Sequence, residues 1–155
     1  MREEPPKAKC GRGLDSLLDG TPPVVQASDT VLNAARVMRD MDSGAVAVVQ
    51  EGNLEGILTE GDVVARVLLA RRDPEQTFVK DVMTRNVQSL PINGTRKEAI
   101  AALIRNEFRH VPVCDESGSV VGLLSGAGLF RNEVIRLGGE LDSLENFLSA
   151  DGIGG

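Results

Sequence analysis

Aromatic side chains are scarce in this chain: its 155 residues include four phenylalanines, and neither tryptophan nor tyrosine occurs. Proteins that bind single-stranded nucleic acid stack the bases on such rings. The formal net charge of -6 also opposes this function, because an acidic protein repels a phosphate backbone. We therefore expect no nucleic-acid partner.

Long apolar runs are lacking as well. No stretch approaches the roughly 20 apolar residues that cross a bilayer, and the first residues contain no continuous apolar segment typical of a signal peptide. The two cysteines, Cys10 and Cys114, match neither a disulfide framework nor a metal-ligand spacing. These absences predict a cytoplasmic protein with free thiols, no membrane partner and no metal site.

The feature that is present is an internal repeat. Thr30 aligns with Thr95 at an offset of 65, whereas Gly56 aligns with Gly122 at an offset of 66. The second copy therefore has one extra residue, which falls in the stretch after Val49. This stretch is polar and contains glycine between two apolar runs, which predicts a hairpin turn.

Within a copy, the hydrophobic period changes along the chain. An extended segment follows Pro22 and Pro23, and a helical stripe comes next. The stripe consists of Val31, Ala34, Ala35, Met38 and Met41. Two short apolar runs, 45–50 and 54–58, flank the predicted turn, and 61–72 has a helical pattern. Each copy is thus a β-α-β-β-α unit, which predicts an α/β (α+β) fold.

The repeat divides the chain into a head at 1–12, a first copy at 13–72, a linker at 73–78, a second copy at 79–132 and a C-terminal segment at 133–155. Units of about 60 residues bury too little surface to be stable alone, so we expect the copies to pack with pseudo-twofold symmetry. The C-terminal segment has the apolar spacing of an amphipathic helix, which favours packing on its own domain, with a dimer contact as the alternative. Its stripe is Val134, Leu137, Leu141, Leu144 and Leu148.

The copies differ where the second hairpin strand leads into the following helix. The first copy has Thr59 and, three residues later, Asp62, whereas the second has Ser125 and Gly128. A hydroxyl, free amides at a helix start and a carboxylate can together bind phosphate and the hydroxyls of a ribose. The same pair also caps a helix without any ligand, and the spacing alone favours that interpretation.

The order of these motifs, from about Leu14 to Phe130, resembles the paired cystathionine beta-synthase (CBS) domain. The segments that carry the resemblance are Val82-Met-Thr84, the helix start at Thr95, Arg109-His-Val-Pro-Val113 and the Gly-x-x-Thr-x-x-Asp run from Gly56 to Asp62. The resemblance implies a disc of tandem CBS domains whose clefts bind AMP, ADP or ATP, or else NAD or S-adenosylmethionine. Such modules commonly regulate a partner protein.

The resemblance also implies that each cleft takes residues from both copies. One cleft would contain Leu58, Thr59, Asp62, Arg109 and His110. In it, Asp62 would hold the ribose, Thr59 and Arg109 would contact phosphate, and His110 would contact phosphate or base. The opposite cleft would be degenerate, because its equivalent residues offer no carboxylate and no cation: Gly44, Ala45, Ser125 and Gly128. We therefore expect about one strong ligand per chain.

These observations favour a regulatory module that binds an adenine nucleotide, forms a homodimer and controls a partner that the sequence does not identify. The alternative is a structural dimerisation or adaptor module with empty clefts, which the loss of the carboxylate at Gly128 favours. We expect no enzyme and no catalytic residues. The chain has no Walker-type phosphate loop, and Cys114, near the single histidine His110, aligns with Val49 in an apolar run.

Overall fold

Two β-sheets lie at the centre of the part of the chain that the structure describes. The computed structural model covers residues 13–18, 20–105 and 109–150, and of residues 140–150 it describes the backbone only. The first sheet has the strand order β1-β2-β3-β4, with β1 at Val24–Gln26, β2 at Ala45–Gln50, β3 at Asn53–Thr59 and β4 at Thr84–Arg85. The second sheet has the order β5-β6-β7, with β5 at Leu90–Pro91, β6 at His110–Cys114 and β7 at Val120–Ser125.

The helices connect the strands in the order that the sequence predicts. They are α1 at Val31–Asp40, α2 at Glu60–Val63, α3 at Val79–Val82, α4 at Arg96–Arg105 and α5 at Gly126–Ala150. A 3₁₀ turn at Leu14–Leu17 precedes β1, and α2 continues as a π-helical turn at Val64–Leu68. The helix predicted over 61–72 therefore begins one residue earlier and ends sooner. The α/β class and the two β-α-β-β-α repeats are confirmed.

Side-chain caps fix the start of the equivalent helices α1 and α4. The hydroxyl of Thr30 accepts a hydrogen bond from the amide of Asn33 at 3.2 Å. In the second repeat, the amide of Thr95 donates to the Glu98 carboxylate at 2.7 Å, and the Glu98 amide donates to the Thr95 hydroxyl at 3.2 Å. This reciprocal pair satisfies two amides that the helix itself leaves without partners.

The extra residue of the second copy lies in the hairpin turn, as predicted. In the first hairpin Gln50 pairs with Asn53, and the two turn residues between them have positive φ angles of 52° and 81°. Positive φ at both positions is typical of the type I′ turn, whose twist matches that of the strands. In the second hairpin Cys114 pairs with Val120, and a longer turn is closed by the Asp115 amide donating to the Ser119 carbonyl at 2.9 Å.

The segments that open the two copies pack against opposite sheets, which the repeat pattern does not predict. Strand β4 belongs to the second copy in sequence, yet it pairs with β3 of the first sheet. The Val79 amide donates to the Asp29 carbonyl at 2.8 Å, so the chain stays bonded to the first repeat after the linker. Conversely, the Leu14 amide donates to the Ile92 carbonyl at 3.0 Å in the second repeat.

The opening segment of each repeat is thus exchanged onto the other repeat, and the two hydrophobic cores contain these exchanged segments. The first contains Val25, Ala27, Val31, Ala34, Met38, Val46, Val48, Leu58, Val67, Val79, Val82 and Met83. The second contains Leu14, Ala99, Val113, Leu124 and Leu129. Because a fully buried valine or leucine side chain contributes roughly 1.5–3 kcal/mol, the exchanged Val79, Val82 and Leu14 connect the repeats by several such contributions.

The junction between the second hairpin strand and its helix is built in the same way in both repeats. The Glu60 amide donates to the Gly44 carbonyl at 3.0 Å, and the Gly126 amide donates to the Arg109 carbonyl at 2.7 Å. Gly44 and Arg109 are equivalent in the repeat, as are Glu60 and Gly126. These matched bonds reflect the pseudo-twofold symmetry of the pair and bring Gly44 and Arg109 to the clefts described below.

The C-terminal helix α5 is longer than predicted, because it begins directly after β7 and continues without a break through the adjacent Gly138 and Gly139. Val134 is 50% exposed and Leu137 is 45% exposed, so the domain covers only about half of each of these two side chains of the predicted stripe. One turn before Leu137, Glu133 forms an ion pair with Arg96 of α4 at 2.6 Å, which ties this part of α5 to its own domain. The predicted head at 1–12, Cys10, and the end of the tail after 150 lie outside the described residues, as do the side chains of Leu141, Leu144 and Leu148.

Candidate functional site

A cleft of about 480 Å³, here called the first cleft, opens where β3 leads into α2. Residues of both repeats line it. Of the five residues predicted to form this site, the structure brings four together here: Thr59, Asp62, Arg109 and His110. Their role in ligand binding remains a prediction.

Leu58 is the exception. Its side chain is fully buried in the first core, while its neighbours Ile57 and Thr59 line the cleft. Successive side chains of a strand point to opposite faces of the sheet. The motif of the first copy therefore directs Thr59 to the cleft and Leu58 away from it.

Thr59 and Asp62 form a reciprocal cap at the start of α2. The Thr59 amide donates to Asp62 Oδ2 at 3.0 Å, and the Asp62 amide donates to Thr59 Oγ1 at 3.1 Å. The cap interpretation of this pair is therefore confirmed. It does not use the whole carboxylate, because Oδ1 accepts no hydrogen bond from the described residues and lies 3.8 Å from Nη2 of Arg66.

Arg109, which directly precedes β6, supplies a positive charge to the first cleft. Its side chain is exposed and lines the cleft. The described part of the chain contains no ion-pair partner for it. An arginine without an internal counter-ion can bind an external anion through several N–H donors at once.

His110 packs its ring against Gly44. A Cβ atom on Gly44 would lie 3.3 Å from Cε1 and 3.4 Å from Nε2 of the ring, and 3.5 Å from Oε2 of Glu60. Burial lowers the pKa of His110 below its usual value; the Glu60 carboxylate opposes this effect and Arg109 adds to it. Burial therefore favours the uncharged ring, despite the neighbouring carboxylate.

A second cleft of about 830 Å³ lies on the other side of Gly44 and His110. Of its four predicted residues, Gly44, Ser125 and Gly128 line it, whereas Ala45 is fully buried in β2. Ser125 Oγ accepts a hydrogen bond from the Gly128 amide at 2.8 Å, which is the cap of the first repeat without its carboxylate.

Charged groups reach the second cleft from residues that the sequence comparison did not consider. Asp40 and Asp42 line it from the end of α1, and Arg131 lines it from α5. The four residues equivalent to the first site carry no charge, as expected. The second cleft nevertheless contains carboxylates and a cation, which come from other residues.

Sequence reasoning also missed four polar residues of the first cleft: Glu60, Thr84, Arg85 and Asn86. Arg85 and Asn86 follow Val82-Met-Thr84 directly, but they reach this cleft only because β4 is exchanged onto the first sheet. The Arg85 guanidinium donates to the Lys80 carbonyl at 3.0 Å, which holds it at the edge of the cleft. Glu60 is the first residue of α2, directly after Thr59.

The thiol and the carboxylates do not form a reactive or metal-binding group in the described residues. Cys114 is buried, and this burial raises the pKa of its thiol, which opposes formation of a nucleophilic thiolate. The described ranges contain no cluster of three histidine, cysteine or acidic side chains arranged to hold a metal ion. Among the same residues, no helix is both long and apolar enough to cross a bilayer.

Comparison with known proteins supports the resemblance seen in the sequence. The CBS domain family model matches residues 16–69 and 79–132. CBS domain-containing protein CBSCBSPB1 of Arabidopsis thaliana is 35% identical over 100 residues, which are 64% of this chain and 18% of that protein. CBS domain-containing protein YhcV of Bacillus subtilis is 30% identical over 110 residues, which are 71% of this chain and 77% of that protein. The chain thus spans less than a fifth of the length of the plant relative.

Solved structures share the same fold. The crystal structure of the CBS domain of NE2398 is 33% identical with a TM-score of 0.71, covering 79% of this chain and 98% of that chain. CBSX2 in complex with AMP is 21% identical with a TM-score of 0.64, covering 80% and 97%. The CBS domain pair of MJ0100 in complex with 5'-methylthioadenosine and S-adenosyl-L-methionine is 22% identical with a TM-score of 0.68, covering 77% and 97%. Because the family model matches both repeats and most of the chain, the protein belongs to the CBS domain family and carries two CBS domains in tandem.

Proposed function

We propose that this CBS domain pair binds an adenine nucleotide in the first cleft and thereby acts as a regulatory module. The observation that carries the proposal is the convergence of Thr59 and Asp62 of one repeat with Arg109 and His110 of the other on a single cleft. A ligand that contacts both repeats at once can change how they are held together. This is the property that a sensor requires.

The capped carboxylate of Asp62 suits the recognition of a ribose. Oδ2 is held by the Thr59 amide at 3.0 Å, so the carboxylate has a fixed orientation before any ligand arrives. Oδ1 remains to accept hydrogen bonds from the hydroxyls of a sugar. Bonds to a charged acceptor contribute more than bonds between neutral groups, and an acceptor that is already oriented loses less entropy on binding.

The charges of the first cleft favour a ligand that carries phosphate. The negative groups Glu60 and Asp62 lie together at the start of α2, whereas Arg109 and Arg85 come from the second repeat. A ribose at Asp62 with its phosphate directed toward the arginines satisfies both ends. Of the expected ligands, AMP, ADP and ATP fit this distribution better than S-adenosylmethionine, which has no phosphate. The AMP bound to CBSX2 supports the proposal by analogy of fold.

A structural role is the second candidate, because apolar side chains remain exposed on α5 and at the end of the π-helical turn. Phe130 is 71% exposed, Leu68 is 68% exposed and Leu69 is 73% exposed. Large exposed apolar side chains are typical of positions that another chain covers when they lie next to one another. A module that only dimerises or docks would bury such side chains against its partner and leave the clefts without ligand.

Thermal shift measurements followed by calorimetry decide between the two functions. A ligand that binds only the folded state raises its melting temperature. AMP, ADP, ATP, NAD, S-adenosylmethionine and adenosine form the panel, with guanosine monophosphate as the control for the base. We expect stabilisation by AMP or a longer adenine nucleotide, with a stoichiometry near one per chain. If none of the panel binds at millimolar concentration, nucleotide sensing is wrong and the structural role remains.

A further inference from the structure

His110 and Gly44 are the residues, within the described ranges, that line both clefts. The two clefts therefore share one wall, formed by an imidazole ring packed on a residue without a side chain. The ring approaches Gly44 so closely that a Cβ atom there would be 3.3 Å from Cε1. Any movement of this ring changes the surface that both clefts present.

One nitrogen of the His110 ring is not fixed by a hydrogen bond within the part of the chain that the structure describes. Its Nδ1 atom is buried and has no hydrogen-bond partner among the described residues. A histidine that must stay in one orientation is usually fixed by a hydrogen bond at one of its nitrogens. The ring packs on Gly44, and the Glu60 carboxylate interacts with it electrostatically. Because a buried nitrogen without a partner costs free energy, a ligand group or a new rotamer that satisfies Nδ1 would be favoured.

The arrangement exists on one side of the pseudo-twofold axis only. The residue equivalent to His110 is Ala45, which is fully buried and lines neither cleft. The first cleft places Glu60 and Arg109 near the ring, and the second cleft contains Asp40, Asp42 and Arg131. The shared wall is thus a single polar side chain between two charged cavities.

We propose that His110 couples the two clefts, so that occupancy or charge in one changes the ring position and thereby the affinity of the other. The identity of the ligand in the first cleft rests on the proposed function, whereas the wall that the two clefts share is independent of it. Coupling of this kind is reciprocal: whatever the first cleft does to the second, the second does to the first. The pair would then respond to the combination of its two clefts rather than to each one separately.

Nuclear magnetic resonance can test this coupling because His110 is the single histidine of the chain and its ring signal needs no further assignment. The methyl groups of Ile57 and Leu123 report on the first and the second cleft, since each lines one of them and not the other. During a titration with AMP we expect the Ile57, His110 and Leu123 signals to move with one common midpoint. In His110→Ala, the Ile57 midpoint should move to higher AMP concentration because His110 also lines the first cleft, but at saturation of the Ile57 signal the Leu123 response should be lost. His110→Gln, which keeps the size of the side chain, serves if the alanine variant does not fold.

A second arm needs no ligand. Arg131→Glu changes the charge of the second cleft, and Arg36→Glu makes the same change at an exposed position on α1 that lines neither cleft. We expect Arg131→Glu to shift the His110 and Ile57 signals, and Arg36→Glu to leave both in place. In the His110→Ala background, Arg131→Glu should no longer affect Ile57.

Each outcome separates the two proposals. If AMP moves no signal but Arg131→Glu moves His110 and Ile57, nucleotide binding is wrong and the coupling stands. If Leu123 moves with a separate, weaker midpoint, AMP enters the second cleft directly and the coupling is wrong. The coupling would also be wrong if Leu123 still responded to AMP in His110→Ala with the same midpoint as Ile57. It would be wrong as well if Arg131→Glu left the His110 signal unchanged.

Discussion

The amide of Thr59 donates to the carboxylate of Asp62, and the amide of Asp62 donates to the hydroxyl of Thr59, at 3.0 and 3.1 Å. This pair explains why a local structural role and a ligand-binding role do not exclude each other. The cap uses one carboxylate oxygen and leaves the second beside a cleft that is lined by the other repeat. In the second repeat, Ser125 retains its capping bond to Gly128, but no carboxylate remains.

The first prediction concerns Asp62. The loss of a charged acceptor costs roughly 1.5–3 kcal/mol, so Asp62→Ala should weaken AMP binding by roughly 10- to 150-fold in calorimetry. Because the substitution also removes half of the cap, Asp62→Asn is the informative companion: it keeps a capping oxygen and loses the charge. Ser125→Ala is the matched control on the second repeat and should change AMP affinity far less. Equal losses in Asp62→Asn and Ser125→Ala would contradict the assignment of the ribose to Asp62.

Local sequence patterns predicted the three strands of each repeat, the caps and the hairpin insertion, but not β4, because the predicted features depend on residues close together in the chain. The exchange of the opening segments was not predictable in this way. The apolar turns at Leu14 and at Val79 have the same pattern whichever sheet they pack against, so the pattern does not identify the partner. Arg85 was missed for the same reason, since it reaches the first cleft only through the exchange.

Other errors had a local signal. Strand alternation already implies that Leu58 and Thr59 face opposite sides, so Leu58 could have been excluded from the cleft. The charges of the second cleft had no such signal, because Asp40 and Arg131 come from two different helices. The family resemblance predicts site residues only at positions that match the family's motifs, and Asp40 and Arg131 are not at such positions.

The second prediction concerns Arg109. If its guanidinium binds phosphate, AMP should bind more tightly than adenosine, and Arg109→Ala should reduce that preference. The salt dependence of AMP affinity should also fall, because a screened charge pair has been removed. Arg36→Ala, on an exposed surface of α1 away from both clefts, is the control. If Arg109→Ala retains the full preference for AMP, another cation such as Arg85 holds the phosphate.

The third prediction concerns pH. Burial lowers the pKa of His110 below its usual 6.5 in the folded chain, so at intermediate pH the unfolded chain binds a proton that the folded chain does not. The free energy of unfolding should therefore decrease as the pH falls through about 6.5, and this contribution should level off below the folded pKa. Urea denaturation of wild type and His110→Gln between about pH 5 and 7.5 tests this. An identical pH dependence in both proteins would contradict it.

The fourth prediction uses two equivalent glycines that lie beneath the exchanged segments. A Cβ atom on Gly56 would collide with the backbone carbonyl of Thr84 in β4, whereas one on Gly122 would collide with the side chain of Leu18. A side chain can turn away, but the backbone of a paired strand cannot. Gly56→Ala should therefore lower the free energy of unfolding by about 1–3 kcal/mol, and Gly122→Ala by clearly less. If urea denaturation gave equal losses of unfolding free energy for both variants, the backbone of β4 would move aside as easily as the Leu18 side chain, and the prediction would be wrong.

The last prediction concerns assembly. Phe130, Val134 and Leu137 follow one another at spacings of four and three residues on α5, and each is at least 45% exposed. The part of this stripe that its own domain leaves exposed is most simply buried by the same stripe of a second copy in a twofold dimer. We therefore expect a homodimer of about 33 kDa, twice the chain mass of 16.5 kDa.

Variants of the exposed stripe test this dimer without disturbing a core. Val134→Asp combined with Leu137→Asp should give a folded monomer, because both side chains are about half exposed and lie outside the two hydrophobic cores, and a charge on each prevents apolar contact between copies. Asn132→Asp adds a charge to the same helix away from the stripe and should remain dimeric. Light scattering gives the mass, and circular dichroism shows whether the monomer is folded. A folded double variant that stays dimeric would exclude this stripe as the contact, and a wild type that is monomeric with and without AMP would exclude the dimer itself.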